Sequence, residues 1–85
     1  MSKRNQLKKI AVLGAGSWGG TIAEHLAQLG HNVTVWHRNE EELKQMSEKR
    51  FHPLLDDLQF SHSIRFVESM NDLKQPEVVV LGIPS

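Results

Sequence analysis

The residues best placed to do chemistry carry no reactive side chain. Gly14-Ala15-Gly16-Ser17-Trp18-Gly19 has the Gly-x-Gly-x-x-Gly spacing, in which backbone N–H groups hold an anion. Each glycine has its own task. Gly14 makes the tight turn out of a strand, Gly16 lets a pyrophosphate approach the backbone, and Gly19 lets the next helix pack close to the strand. The N–H groups of the first helical turn and the positive end of the helix dipole then hold the phosphates. A glycine-rich turn without a ligand is the plainer reading. A strand before the loop and a helix after it are the context that favours phosphate binding. Ser17 could cap the helix or donate its hydroxyl to a phosphate. Trp18 could line the cleft with its flat ring, or pack as a core tryptophan under the sheet.

A second cluster lies about 20 residues on, where a dinucleotide site reads the ribose. That stretch is Val35-Trp36-His37-Arg38-Asn39. An NAD-specific site places Asp or Glu there, but no carboxylate occurs before Glu40. Arg38 instead offers a charged planar fork suited to a 2′-phosphate. The expected cofactor is NADP(H) or NAD(H), with Arg38 favouring the former; the alternative is an Arg that only faces solvent. His37 is a further candidate contact, although strand residues alternate between faces. The candidate cofactor-binding residues are therefore Gly14, Gly16, Ser17, Trp18, Gly19, His37 and Arg38.

The remaining histidines, His25, His31, His52 and His62, show no metal-ligand spacing and read as structural or exposed. Asp56-Asp57 reads as a loop pair rather than an acid/base dyad. No metal site is expected, and no residue of this chain is a candidate for proton transfer to a substrate.

These residues need a scaffold, and the hydrophobic pattern supplies one. Residues 9–13 form a short apolar run ending at Gly14, as a buried parallel strand does. Ile22, Ala23, Leu26, Ala27 and Leu29 recur at helical spacing over 17–29. Gly30 follows where a left-handed C-terminal residue is wanted. Residues 32–37 are rich in β-branched and aromatic types and form a second strand. Asn39 can cap the next helix, Glu40, Glu41 and Glu42 fill its first turn, and Leu43 and Met46 mark its buried face. That helix fades near Arg50. Residues 51–63 lack a period and suggest a loop. Ile64 to Val67 reads as a third strand, Met70 to Leu73 as a helical turn, and Glu77 to Ile83 as a fourth strand.

Alternating strands and helices imply an α/β fold with a Rossmann-like parallel sheet joined by right-handed crossovers. The expected strand order is 3-2-1-4. Residues 1–85 are expected to form one partial N-terminal NAD(P)-binding domain, truncated after the fourth strand. That strand, apolar on both faces, would be left as an open edge and invite self-association.

Composition narrows the classes further. Among 85 residues, 10 Lys plus Arg balance 10 Asp plus Glu, so nothing points to nucleic acid or an anionic membrane. The basic group Lys3, Arg4, Lys8 and Lys9 reads as a solvated tail. There is no cysteine, which excludes a disulfide framework and a thiolate zinc site. No apolar stretch approaches the roughly 20 residues of a membrane span. A cytoplasmic protein is expected.

The loop Ile10-Ala-Val-Leu-Gly-Ala-Gly-Ser-Trp-Gly, the segment Gly30-His-Asn-Val-Thr-Val-Trp-His-Arg and the terminal Val-Val-Val-Leu-Gly-Ile-Pro-Ser together resemble bacterial NAD(P)-dependent glycerol-3-phosphate dehydrogenase. The Ser-Trp pair in the glycine loop is the most specific part, and the resemblance covers residues 8–50 and 64–85. It implies cofactor contacts at Ser17, Trp18 and Arg38, with His37 or its neighbour included. It also implies reversible hydride transfer between NAD(P)H and dihydroxyacetone phosphate, giving sn-glycerol 3-phosphate for phospholipid synthesis. The family's catalytic lysines and helical substrate domain would lie beyond Ser85, so this chain alone is expected to be inactive. Two departures stand out. Gly20 occupies a position where threonine is common, and 51–63 does not align cleanly. A sister dehydrogenase of the ketopantoate reductase or 6-phosphogluconate dehydrogenase type, or a nucleotide-binding module without chemistry, are the alternatives.

Overall fold

The computed structural model describes residues 7–55 and 57–82. Four parallel strands, β1 (Lys9–Leu13), β2 (Asn32–Trp36), β3 (Arg65–Val67) and β4 (Val78–Leu81), form one sheet in the order β3-β2-β1-β4. Helix α1 (Ser17–Gln28) links β1 to β2, and α2 (Glu40–Lys49) leads from β2 toward β3. This is the expected Rossmann-like arrangement. Lys3 and Arg4 of the expected basic tail, Asp56, and the Ile83 end of the expected fourth strand lie outside the described residues.

Register puts apolar side chains in rows. Ile10 sits opposite Val33 and Val78, and Val12 opposite Val35 and Val80. Ile10, Val12, Val33 and Val35 face α1 and α2 and form the core with Ala15, Ala23, Ala27 and Met46. Burying each such branched side chain contributes about 1.5–3 kcal/mol. Leu29, expected on the buried stripe of α1, is instead exposed. Leu29 caps the helix in helical backbone geometry, its N–H donating to His25 O at 3.2 Å, before Gly30 turns the chain at φ 96°. Two residues past Ala27, it lies on the side of α1 away from the buried Ala23 and Ala27.

α2 is capped as expected. Asn39 Oδ1 accepts the Glu42 N–H at 3.0 Å, and Leu43 and Met46 are buried. Its C-cap is Arg50, left-handed at φ 62°. The Arg50 guanidinium donates to the carbonyls of His62 (3.1 Å) and Ile64 (3.0 Å) and lies 5.2 Å from the Phe66 ring centroid. Those contacts offset the cost of an unusual backbone conformation for a residue with a Cβ.

The 51–63 segment does more than connect. His52 N–H donates to Leu58 O and Phe60 N–H to Arg50 O, folding the segment back on itself. Phe60 and, just past the segment, Ile64 are fully buried in the core. The segment is latched to α1 through Glu24, whose carboxylate accepts from Ser61 N–H and Ser61 Oγ, both at 2.7 Å, and from Gln28 Nε2 at 2.9 Å. Burial raises the Glu24 carboxyl, but these three donors together outweigh it and hold the group below its usual range. β3 begins at Arg65, one residue later than expected, and the turn at 70–73 is a single 3-10 turn over Met70–Asp72.

Candidate nucleotide-binding site

The carboxyl ends of β1 and β2 lie side by side, Leu13 opposite Trp36. Gly14 follows at once. Its N–H donates to Trp36 O at 2.7 Å, so the turn starts while still tied to β2. Its φ of 97° lies in the left-handed region that a side chain disfavours. α1 opens at Ser17, with Gly16 as N-cap and no side chain capping it. The first N–H groups of a helix have no partner within it, so this end presents unpaired donors and the positive end of the dipole.

The glycines divide as the spacing implies. A Cβ built on Gly16 meets nothing within 4 Å, so this part of the loop opens to space. A Cβ on Gly19 would collide with the Gly14 carbonyl and come within 3.2 Å of Gly82 Cα. Gly82, just past β4, sits equally close, 2.6 Å from its own Cβ position to Gly19 Cα. Helix α1 therefore meets the strand ends backbone to backbone, which brings its N-terminus over the sheet edge.

Gly14, Gly16, His37, Arg38, Asn39, Glu42 and Gly82 line a cleft of about 460 Å³. It lies at the carboxyl ends of the strands, where open parallel sheets bind ligands. A smaller cavity of about 140 Å³ is lined by Lys9, Asn32, Arg65 and Pro76 at the amino ends, away from the glycine turn.

Arg38 is exposed on the cleft, with no hydrogen bond or ion pair among the described residues. His37 is fully engaged. Its Nδ1 accepts the Ala15 N–H at 2.9 Å, so the ring proton is on Nε2, which donates to Glu42 Oε1 at 2.7 Å. Trp18 is 64 % exposed and not a core residue. It stands on α1 beside the loop rather than in the cleft wall. Ser17 does not cap α1, because Gly16 holds that position. Thr21 Oγ1 donates to Ser17 O at 2.8 Å, so its hydroxyl proton is committed to its own helix.

Ala15, Glu42, His52 and Gly82 were not among the sequence candidates. The Asn39-x-x-Glu42 spacing is a capping-box pattern and could have drawn attention to Glu42, although its side chain goes to His37. A glycine directly after the fourth strand could have pointed to Gly82. For Ala15 and His52 the sequence holds no local signal. His25 and His62 are exposed, while His31 Nδ1 accepts the Lys8 N–H at 3.0 Å.

A parallel β3-β2-β1-β4 sheet with a glycine turn into α1 at its carboxyl edge defines a Rossmann-like α/β domain. Residues 9–85 match the family model for the NAD-dependent glycerol-3-phosphate dehydrogenase N-terminus, and the chain belongs to that family. A glycerol-3-phosphate dehydrogenase [NAD(P)+] of Limosilactobacillus reuteri is 41 % identical over 80 residues, covering 92 % of this chain and 24 % of the relative. The enzyme of that name from a Thermoanaerobacter species is 36 % identical over 78 residues, covering 91 % and 24 %. A crystal structure of glycerol-3-phosphate dehydrogenase from Coxiella burnetii superposes with a TM-score of 0.80 at 25 % identity, covering 88 % of this chain and 24 % of that one. The chain thus spans about a quarter of the length of the relatives it matches.

Proposed function

We propose that residues 1–85 form part of a dinucleotide-binding domain that takes NADP(H) or NAD(H) at the carboxyl end of its sheet. The protein to which it belongs is, on this reading, a glycerol-3-phosphate dehydrogenase. The observation that carries the reading is the joint placement of Gly16 and Arg38 on one cleft, under an uncapped helix N-terminus. The open space at the Gly16 Cβ position suits a bulky anion. The N–H groups at the start of α1 would hold the pyrophosphate, helped by the Ser17 hydroxyl. Arg38 would hold a 2′-phosphate through charged hydrogen bonds. Gly14 and Gly19 bring helix and strand into place, His37 fixes the loop from the side, and Trp18 offers a flat apolar face beside the entrance. When bound, the nicotinamide supplies or accepts a hydride.

The substrate pair in this proposal is dihydroxyacetone phosphate and sn-glycerol 3-phosphate, the latter a phospholipid precursor, and the setting is the cytoplasm. Substrate binding and proton transfer fall to the part of the relatives that this chain does not span. Calorimetric titration of the protein with NADPH and NADH tests the binding. Heat of binding for at least one is expected, and no binding of either would refute the reading. The 85-residue chain alone is expected to leave NADPH unoxidised in the presence of dihydroxyacetone phosphate.

A further inference from the structure

Both polar atoms of the Ala15 backbone are held by histidines that come from distant parts of the chain. The N–H goes to His37 Nδ1 at 2.9 Å, and the carbonyl meets His52 Nε2 at 2.8 Å. The His52 ring is 4 % exposed. Its Nδ1 accepts the Leu54 N–H at 3.0 Å, so Nδ1 carries no proton. Nε2 therefore carries it and donates to Ala15 O. Every ring nitrogen in the pair has a defined role.

Space for His52 is made by Gly20. A Cβ at position 20 would lie 2.6 Å from His52 Cδ2 and 3.1 Å from its Nε2. Real Cβ atoms do not approach a ring that closely, so any larger residue at position 20 would displace the imidazole from Ala15 O. Gly20 and His52 are thus one unit, with α1 supplying the gap and the 51–63 segment the ring. The Glu24–Ser61 hydrogen bonds hold that segment against α1.

The peptide between Ala15 and Gly16 is planar and trans, so its C=O and N–H point in opposite directions. His52 draws the C=O inward, beneath the loop. The Gly16 N–H must then point outward, and Gly16 lines the cleft. We infer that His52, seated against Gly20, is a positioning residue that aims the Gly16 N–H into the cleft as a donor to a dinucleotide pyrophosphate. The inference rests on the nucleotide-binding reading above. Without His52 the peptide is free to turn over, presenting a carbonyl oxygen to an anion instead of a donor. His52 touches no ligand itself and acts only through this peptide.

The pyrophosphate is common to both cofactors, and this gives the test its form. In the whole protein, His52→Leu is expected to weaken NADH and NADPH by the same factor, about tenfold, leaving their ratio unchanged. Gly20→Ala, which keeps the imidazole but displaces it, is expected to act in the same direction. Thermal unfolding of each variant shows whether it is folded at the titration temperature. A folded His52→Leu protein with unchanged affinities would overturn the inference, as would a loss confined to NADPH, which would place the effect at Arg38. A wild-type protein that binds neither cofactor would instead defeat the nucleotide-binding reading itself. A measurement on the wild type stands apart from any folding defect. Nitrogen-15 spectra of the imidazoles should show His52 protonated at Nε2 and not at Nδ1. The opposite tautomer would remove the donor to Ala15 O and the inference with it.

Discussion

The Ala15 N–H donates to Nδ1 of His37 at 2.9 Å, across 22 positions of sequence. This bond ties the glycine loop to the end of β2, the two parts of the chain that would hold opposite ends of an adenosine diphosphate group. It also commits His37 to the loop. We therefore expect His37→Leu to destabilise the protein by about 1–3 kcal/mol, the cost of leaving a part-buried donor without a partner. Urea unfolding measures this. A variant as stable as the wild type would mean that the Ala15 N–H finds water instead.

Arg38, one position further, has a different expected signature. It is exposed on the cleft and has no partner among the described residues, so its removal should leave stability unchanged. A charged hydrogen bond contributes about 1.5–3 kcal/mol, so Arg38→Ala should weaken NADPH about 10- to 100-fold with little effect on NADH. Michaelis or dissociation constants for both cofactors decide the matter. Equal effects on the two would show that Arg38 does not read a 2′-phosphate.

Glu24 predicts an acid limb of the stability curve. Burial raises its carboxyl, but the hydrogen bonds from Ser61 and Gln28 outweigh that effect and hold it below the usual range of a glutamate, so the folded state favours the ionised form more than the unfolded chain does. The stabilisation is fully present above the unfolded value and is lost as pH falls from there through the folded one. Unfolding midpoints from pH 7 down to about pH 3 should fall more steeply for the wild type than for Glu24→Gln, whose side chain does not titrate. Parallel curves would show that another carboxylate governs acid unfolding. His52 rides on the same segment, so the variant also tests whether the Glu24 latch supports it.

β4 predicts how the 85-residue chain behaves in isolation. Among the described residues this strand pairs only with β1. Val79 is 51 % and Leu81 63 % exposed, on the face opposite Val80, which packs against the core. An apolar edge with unpaired backbone groups templates pairing with a second strand. Sedimentation over a concentration series should show self-association, relieved by Val79→Lys. A monomer at every concentration, with fast amide exchange at Val79 and Val80, would rule it out.

Much of the scaffold was legible in the sequence because its signals are local. The apolar run before Gly14, the 3.6-residue recurrence of Ala23 and Ala27, the glycine turn at Gly30 and the cap at Asn39 each depend on a few neighbouring residues. β1 and both helix starts accordingly fall where expected. The strand order also followed, because right-handed crossovers leave a parallel β-α-β chain few arrangements. The glycine loop was legible for the same reason: its spacing is a property of one turn.

Tertiary structure decided what depends on contacts between distant positions. Trp18 could be core or surface by residue type, and packing left it exposed. The aperiodic 51–63 segment read as a loop, yet it supplies Phe60 to the core and His52 to the glycine turn, 37 positions from Ala15. Gly20 looked like a departure from a familiar loop until the His52 ring was found in the space it leaves. A glycine's value at such a site lies in what occupies the missing side chain's volume, and only the folded chain brings that neighbour into place.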